Sequence, residues 1–400
     1  MKSSFKAIYI SLFVATMSAM LGMGIIQPIL PLMAHRLGAT GILFGMIFSS
    51  FALTRGIFAP IFGQYSDSRG RKSMILTGLS FFILLSFCYI LANSAWTMML
   101  VRTLQGVASV MVTPIAQAYI GDIIPKGKEG RYMNLFFLSF FGGQAIGPAL
   151  GGFLSDSLNM NAPFYAMAIM AAIALFLVLF LVPEESAEHS GRKAKRQRLA
   201  TTYRHLLADR QMQSILLFMS SRGFYRWGFN TFFPVIAYTR IGLSATQIGF
   251  ILSAYMLIGT IVQYPAGVLS DRFSDYRREI FFYGGLLSPV MMFLVPTTSN
   301  FYLLLLITVA MGLFSAISRA TAVAVRTERG RIHGMGAVTG AFTTSLSAGQ
   351  ILGPLVFGGI ADLFTINDAF YVGGMVGLAG SVTGYLLLGK ATEQEIRSSQ

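Results

Sequence analysis

The sequence predicts an all-α integral membrane protein with twelve transmembrane helices in two six-helix bundles. Three observations carry that expectation. Of 400 residues, 54% are hydrophobic and only 12% are charged, about half the charged share of a typical soluble chain, so no solvated surface of ordinary composition can be built. The apolar residues gather into runs of roughly 20, the length that crosses a bilayer as a helix. Related strings recur 204 and 206 residues apart, which marks an internal duplication.

The runs lie at about 7–32, 41–64, 73–92, 96–120, 132–155, 162–182, 213–239, 246–268, 279–296, 301–324, 334–360 and 369–388. The first follows Lys2 and Lys6, as a secretory signal would. Its apolar run is too long for one and holds Gln27-Pro28-Ile29-Leu30-Pro31, so it reads as a retained helix. Runs this continuous do not alternate as barrel strands do, and a helix satisfies its own backbone groups in lipid. The polar segment 183–212 divides the chain into an N-terminal bundle, 1–182, and a C-terminal bundle with a short tail, 213–400. That segment carries the basic run 192–198, which reads as a solvated connector, although anionic lipid or nucleic acid would suit the same charges.

The net charge is +14, from 30 Lys and Arg against 16 Asp and Glu. In a soluble chain this would suggest nucleic acid as a partner. Placement decides otherwise. With both termini on one side, the cations cluster in the segments on that side, including Arg69, Arg71 and Lys72, the 192–198 run, Arg277 and Arg278, and Arg329 and Arg331. Only Arg36 and Arg240 fall opposite, so the rich side is cytoplasmic. A multi-pass protein of the inner (plasma) membrane of a bacterium is expected, monomeric, with the bilayer as partner and no nucleic acid. The single cysteine, Cys88, sits in an apolar run and reads as a small buried hydrophobe.

Gly63-Gln64-Tyr65-Ser66-Asp67 recurs as Gly267-Val268-Leu269-Ser270-Asp271, and Gly147-Pro148 recurs as Gly353-Pro354. Asp156 and Asp362 keep the second spacing. Such parallel repeats belong to secondary transporters. The first string continues to Arg71-Lys72 and resembles the signature of the major facilitator superfamily between helices two and three, with Tyr65 where leucine is usual. That resemblance spans essentially the whole chain. Arg102-Thr103-Leu104-Gln105-Gly106 is similar to the family's helix-four motif, associated with proton coupling or substrate contact. The run from Gly143 to Gly152 resembles the helix-five motif of the twelve-helix drug:proton antiporter-like exporters. Gly143, Gly147 and Gly151 recur every fourth residue and form a smooth ridge for helix contact, with Pro148 loosening the backbone as a hinge. A pure packing role explains these residues as well. Gly63 and Gly267 are expected to let helices approach, while Asp67, Arg71 and Asp271 form a conformational latch at the cytoplasmic seam.

No phosphate-binding loop is present, and His35, His189, His205 and His333 have no ligand spacing, so no cofactor, metal site or catalytic role is expected. The informative charges are inside. Arg55, Arg102, Arg222, Arg226 and Arg319 fall within helices, while none of the 16 acids does. A charge at bilayer depth costs about 2.5–3.5 kcal/mol, so these groups need water, carbonyls or a ligand. Arg222 and Arg226 share a helical face about 15 and 20 Å in, near the midplane where transporters place their site. Arg319 reads as nearer the inner surface, with its charged end reaching water.

Arginine's planar fork suits carboxylate or phosphate. The expected function is therefore a secondary transporter that exports an anionic or acidic-headed small amphipathic molecule by alternating access. Its expected substrate contacts are Arg55, Arg102, Arg222 and Arg226, with Gln27, Trp227, Asn230, Tyr255 and Gln263 completing the pocket. If protons are coupled, Asp67, Asp122, Glu129, His333 or the substrate would titrate. Two other readings fit the same chain: a broad proton-coupled multidrug exporter, and a non-transporting receptor or lipid-handling scaffold.

Overall fold

The computed structural model describes residues 5–125, 128–183, 206, 208–273 and 276–388. Most of the predicted 183–212 connector, including its basic run, lies outside the described residues, as do Lys126 and the tail from 389. Among the described residues the regular structure is helical throughout, with no strand. The helices are α1 (Phe5–Arg36), α2 (Gly41–Arg69), α3 (Arg71–Leu91), α4 (Ala95–Ile123), α5 (Glu129–Ser157), α6 (Ala162–Leu181), α7 (Arg210–Thr239), α8 (Ala245–Arg272), α9 (Arg277–Leu294), α10 (Phe301–His333), α11 (Met335–Leu363) and α12 (Ile366–Leu388). A 3₁₀ turn, Val295–Thr297, extends α9.

Eleven of these helices are long and apolar enough to cross a membrane. The exception is α7, which carries Arg222, Arg226, Gln211, Gln213 and Asn230. Local chemistry sets the helix ends. Ser94 and Thr97 form a capping box at the start of α4, and Asn300 accepts from the amides of Tyr302 and Leu303 at the start of α10. The α1–α2 and α7–α8 turns repeat the string Arg-aliphatic-Gly: Gly38 and Gly242 take φ of +78° and +77°, a left-handed conformation that favours glycine.

The chain forms two compact units. Unit 1 comprises Met1–Ala39, Met46–Arg192 and Ala237–Ser253; unit 2 comprises Thr40–Gly45, Lys193–Ile236 and Ala254–Gln400. Thus α2 and α8 each begin in one unit and continue in the other, an exchange that the boundaries expected from sequence, at 182 and 213, did not include. Within unit 1, α1 packs on α4, α5 and α6, and α3 packs on α4 and α6. Within unit 2, α9 packs on α10 and α12, and α11 on α10 and α12.

Glycine sets the closeness of the central contacts. The α5 ridge lies on α1: a Cβ added at Gly147 would sit 2.6 Å from Gly24 Cα, and one at Gly151 would sit 2.0 Å from Ile25 O. Its repeat in α11 lies on α7, where a Cβ at Gly349 would meet Ser220 O at 2.0 Å and one at Gly353 would meet Phe224 O at 2.2 Å. The expected ridge therefore exists in both halves, and in each it backs the helix with the most enclosed side chains. By contrast, a Cβ at Gly63 or Gly267 meets nothing within 4 Å. The expectation that these two glycines allow close helix approach is corrected, because their helix faces are open at those positions. The ridge predicts that Gly147→Val or Gly353→Val, which must overpack backbone, costs at least about 1–3 kcal/mol. Thermal unfolding of purified protein would show the loss, and Gly142→Ala, which meets nothing within 4 Å, would leave the melting temperature unchanged or raised.

Candidate functional site

Three arginines of unit 2, on α7 and α10, come together with a glutamine of α8. On α7, Arg222, Arg226 and Asn230 recur every fourth residue, so they share one face. Arg222 is 4% exposed and its Nε donates to Ser315 Oγ of α10 at 3.0 Å. Four residues further along α10, Arg319 donates from a terminal nitrogen to Gln263 Oε1 of α8 at 2.6 Å. The charges of Arg222, Arg226 and Arg319 act on one another, with Tyr255 in reach of Arg222 and Arg319. The groups that act on Arg222 are Arg226, Tyr225 and Tyr255, and no carboxylate is among them. Beside them Arg226 Nε, Trp227 Nε1 and Asn230 Oδ1 are buried with no hydrogen-bond partner among the described residues. Leaving such groups unpaired costs about 1–3 kcal/mol each.

Arg319 therefore lies close enough to Arg222 and Arg226 for their charges to act on it. Helix α10, which carries it, continues to His333, beyond the end near 324 expected from sequence. Of the expected contacts, the structure brings together Arg222, Arg226, Tyr255 and Gln263, with Trp227 and Asn230 on the same helix.

Unit 1 carries its own arginines, Arg55 and Arg102. Arg102 is 6% exposed, donates to Gln105 Oε1 at 2.7 Å and lies 4.5 Å from the Phe51 ring centroid. Tyr89 Oη donates to the same Gln105 oxygen at 2.7 Å. Neutral groups thus hold Arg102 inside α4's own neighbourhood. Arg55 in mid-α2 and Gln27 in α1 are half-buried.

Two sets of contacts mark the helix ends. Arg71 at the start of α3 pairs with Asp122 at the end of α4. Arg277, 206 residues later, pairs with Glu328 at 2.5 Å and with Asp271 at 3.7 Å. The side chain of Asp67 lies outside the described residues. His333 meets Asp209 at 2.9 Å, and Arg329 meets the same carboxylate at 3.5 Å. At the opposite ends, Asp156 of α5 accepts from Thr246 N at 2.7 Å and Thr246 Oγ1 at 2.6 Å, in the first turn of α8. Asp362 of α11 accepts from Ile42 N at 2.8 Å, in the first turn of α2. Glycines make room for both: a Cβ at Gly152 would meet Ala245 O at 2.1 Å, and one at Gly358 would meet Gly41 O at 2.3 Å. The spacing of the two aspartates was visible in the sequence, but their role as caps was not, because each partner is distant along the chain.

Twelve helices in two repeated units, with a cluster of positive charge buried in one of them, define a polytopic membrane carrier. The chain belongs to the Major Facilitator Superfamily, which it matches over residues 12–244 and 215–399. It is a multi-pass membrane transporter and not an enzyme. It is 27% identical over 376 residues to an uncharacterized MFS-type transporter of Methanocaldococcus jannaschii, covering 94% of this chain and 96% of that one. It is 28% identical over 357 residues to Multidrug resistance protein 1 of Bacillus subtilis, covering 88% and 89%. In fold it is similar to the crystal structure of a mutant of the nucleoside transporter NupG, with a TM-score of 0.80, 13% identity and coverage of 95% and 99%.

The two caps predict matched effects. Asp156→Ala and Asp362→Ala should each lower stability by about 0.5–2 kcal/mol, with the Asn variants retaining part of it. Thermal unfolding in lipid nanodiscs measures this, and an unchanged transition in both Ala variants would show that the caps carry no weight.

Proposed function

We propose that the protein is a secondary exporter that moves an anionic or acidic-headed amphipathic small molecule out of the cytoplasm by alternating access. The observation that carries this reading is the cluster of Arg222, Arg226 and Arg319 with no carboxylate acting on Arg222. Arginine keeps its charge at physiological pH, so an external anion is the natural counter-charge. The unpartnered Arg226 Nε, Trp227 Nε1 and Asn230 Oδ1 supply further polar contacts, and Tyr255 an amphipathic wall. Arg102 and Arg55 stand as candidate contacts from unit 1.

The cation distribution supports a cytoplasmic location for both termini, and a bacterial plasma membrane is the proposed setting. With a negative interior, about 2.3 kcal/mol per charge per 100 mV drives an anion outward, so export needs no proton. For alternation, the two ends offer opposed sets of contacts. In the Arg71–Asp122 and Arg277–Glu328 pairs at one end the acids are open to water while the arginines are largely covered, and solvent at the acids weakens a contact that must break. The aspartate caps at the other end are short and local.

The likeness to Multidrug resistance protein 1 favours a second reading, a broad multidrug exporter coupled to protons.

Reconstituted vesicles separate the two. Under the anion reading, Arg222→Gln and Arg226→Gln each lower hexanesulfonate flux at least about tenfold, the loss of one charge-assisted contact, while the protein still purifies as a folded species. The wild-type flux should also rise as the membrane potential is made more negative on the loading side. Unchanged flux in both variants would overturn the reading. Efflux of a lipophilic cation that ignores both substitutions would support the multidrug alternative.

A further inference from the structure

Resting on the anion reading of this same site, we infer that Arg319 is its third arm and that the preferred head group is doubly charged, a phosphate monoester in preference to a carboxylate or sulfonate. Three guanidinium groups act on one another here. Arg222 donates to one neutral oxygen, Ser315 Oγ, and Arg319 donates to another, Gln263 Oε1. A doubly charged head offsets the mutual repulsion of three cations more fully than a singly charged one. The number of acceptors agrees, because a phosphate monoester presents three strongly accepting terminal oxygens.

The spacing on two helices supports a convergent site. Arg222 and Arg226 lie one turn apart on α7, and Ser315 and Arg319 one turn apart on α10. The Arg222–Ser315 bond ties these two faces together. Gln263 adds a donor: with Oε1 accepting from Arg319, its amide nitrogen is left to donate to another group. The other titratable groups that act on the cluster are Tyr225 and Tyr255 at Arg222, and Tyr255 and Arg326 at Arg319. The sulfonate keeps one charge throughout, so its affinity reports any titration of the site, and a change with pH in the phosphate-to-sulfonate ratio reports the ligand's second proton.

The test compares hexyl phosphate with hexanesulfonate by calorimetry on the full-length protein in nanodiscs. Between about pH 5 and about pH 8 the phosphate loses its second proton while the sulfonate keeps one charge throughout. The two should bind alike at the acidic end, and the phosphate should bind at least about tenfold tighter at the basic end. Arg319→Gln should remove the pH-dependent gain of phosphate over sulfonate while weakening the sulfonate less than the phosphate; Arg319→Lys should keep part of the gain, and an unchanged thermal unfolding transition of the unliganded variants shows that they are folded. A phosphate-to-sulfonate ratio that stays flat with pH, or an Arg319→Gln variant that weakens both ligands equally, would overturn the inference and leave the anion reading standing. If neither ligand binds, both readings fail together. Glycerol phosphate identifies the source: binding as tight as hexyl phosphate supports a soluble phosphorylated metabolite, and binding only of the hexyl ester supports a lipid-like molecule.

Discussion

A guanidinium group stays charged at any physiological pH, and three of them inside a membrane protein must be screened by something. In unit 2 none of the groups that act on Arg222 is a carboxylate. Much of the local architecture follows from that condition. Helix α7 is too polar to face lipid, so it is enclosed by protein along most of its length. Enclosure needs close neighbours, which the α11 glycines at 349 and 353 permit by letting backbone lie on backbone. Among the aromatic side chains of α7, Phe229 and Phe233 stack on one another, and Phe229 also packs on Tyr255.

The duplication places the same devices twice and loads them differently. Ridge against enclosed helix appears as α5 on α1 and as α11 on α7. Arginine to acid at the start of the third helix appears as Arg71–Asp122 and Arg277–Glu328, and carboxylate caps appear at Asp156 and Asp362. These shared parts tie helix to helix. The charged interior is where the halves diverge: unit 1 wraps Arg102 in Gln105, Tyr89 and phenylalanine rings, while unit 2 sets three arginines against one another.

The fold was legible because membrane spans are written as continuous apolar runs, and even α7 was found by length despite its arginines. The α5 ridge was legible because glycine every fourth residue has few other uses. Arg222 and Arg226 were legible as a pair because their spacing fixes a shared face. The grouping of Arg319 with them was not legible, since it depends on how α10 packs on α7, a tertiary fact. Gly63 and Gly267 look like contact glycines from their motif, yet whether a neighbour lies against them is a tertiary fact. The partners of Arg71, Asp156 and Asp362 are all remote in sequence, and only the repeated spacing hinted at the last two. The glycine turns at 38 and 242 carried a readable repeat that sequence inspection missed.

The central claim is that the α7 arginines await an anion. A cryo-electron microscopy structure of the protein in nanodiscs with hexyl phosphate tests it most directly. The account predicts the head group within hydrogen-bond distance, about 2.7–3.2 Å, of Arg222 and Arg226. A head group bound elsewhere, with both arginines turned to backbone carbonyls, would contradict it.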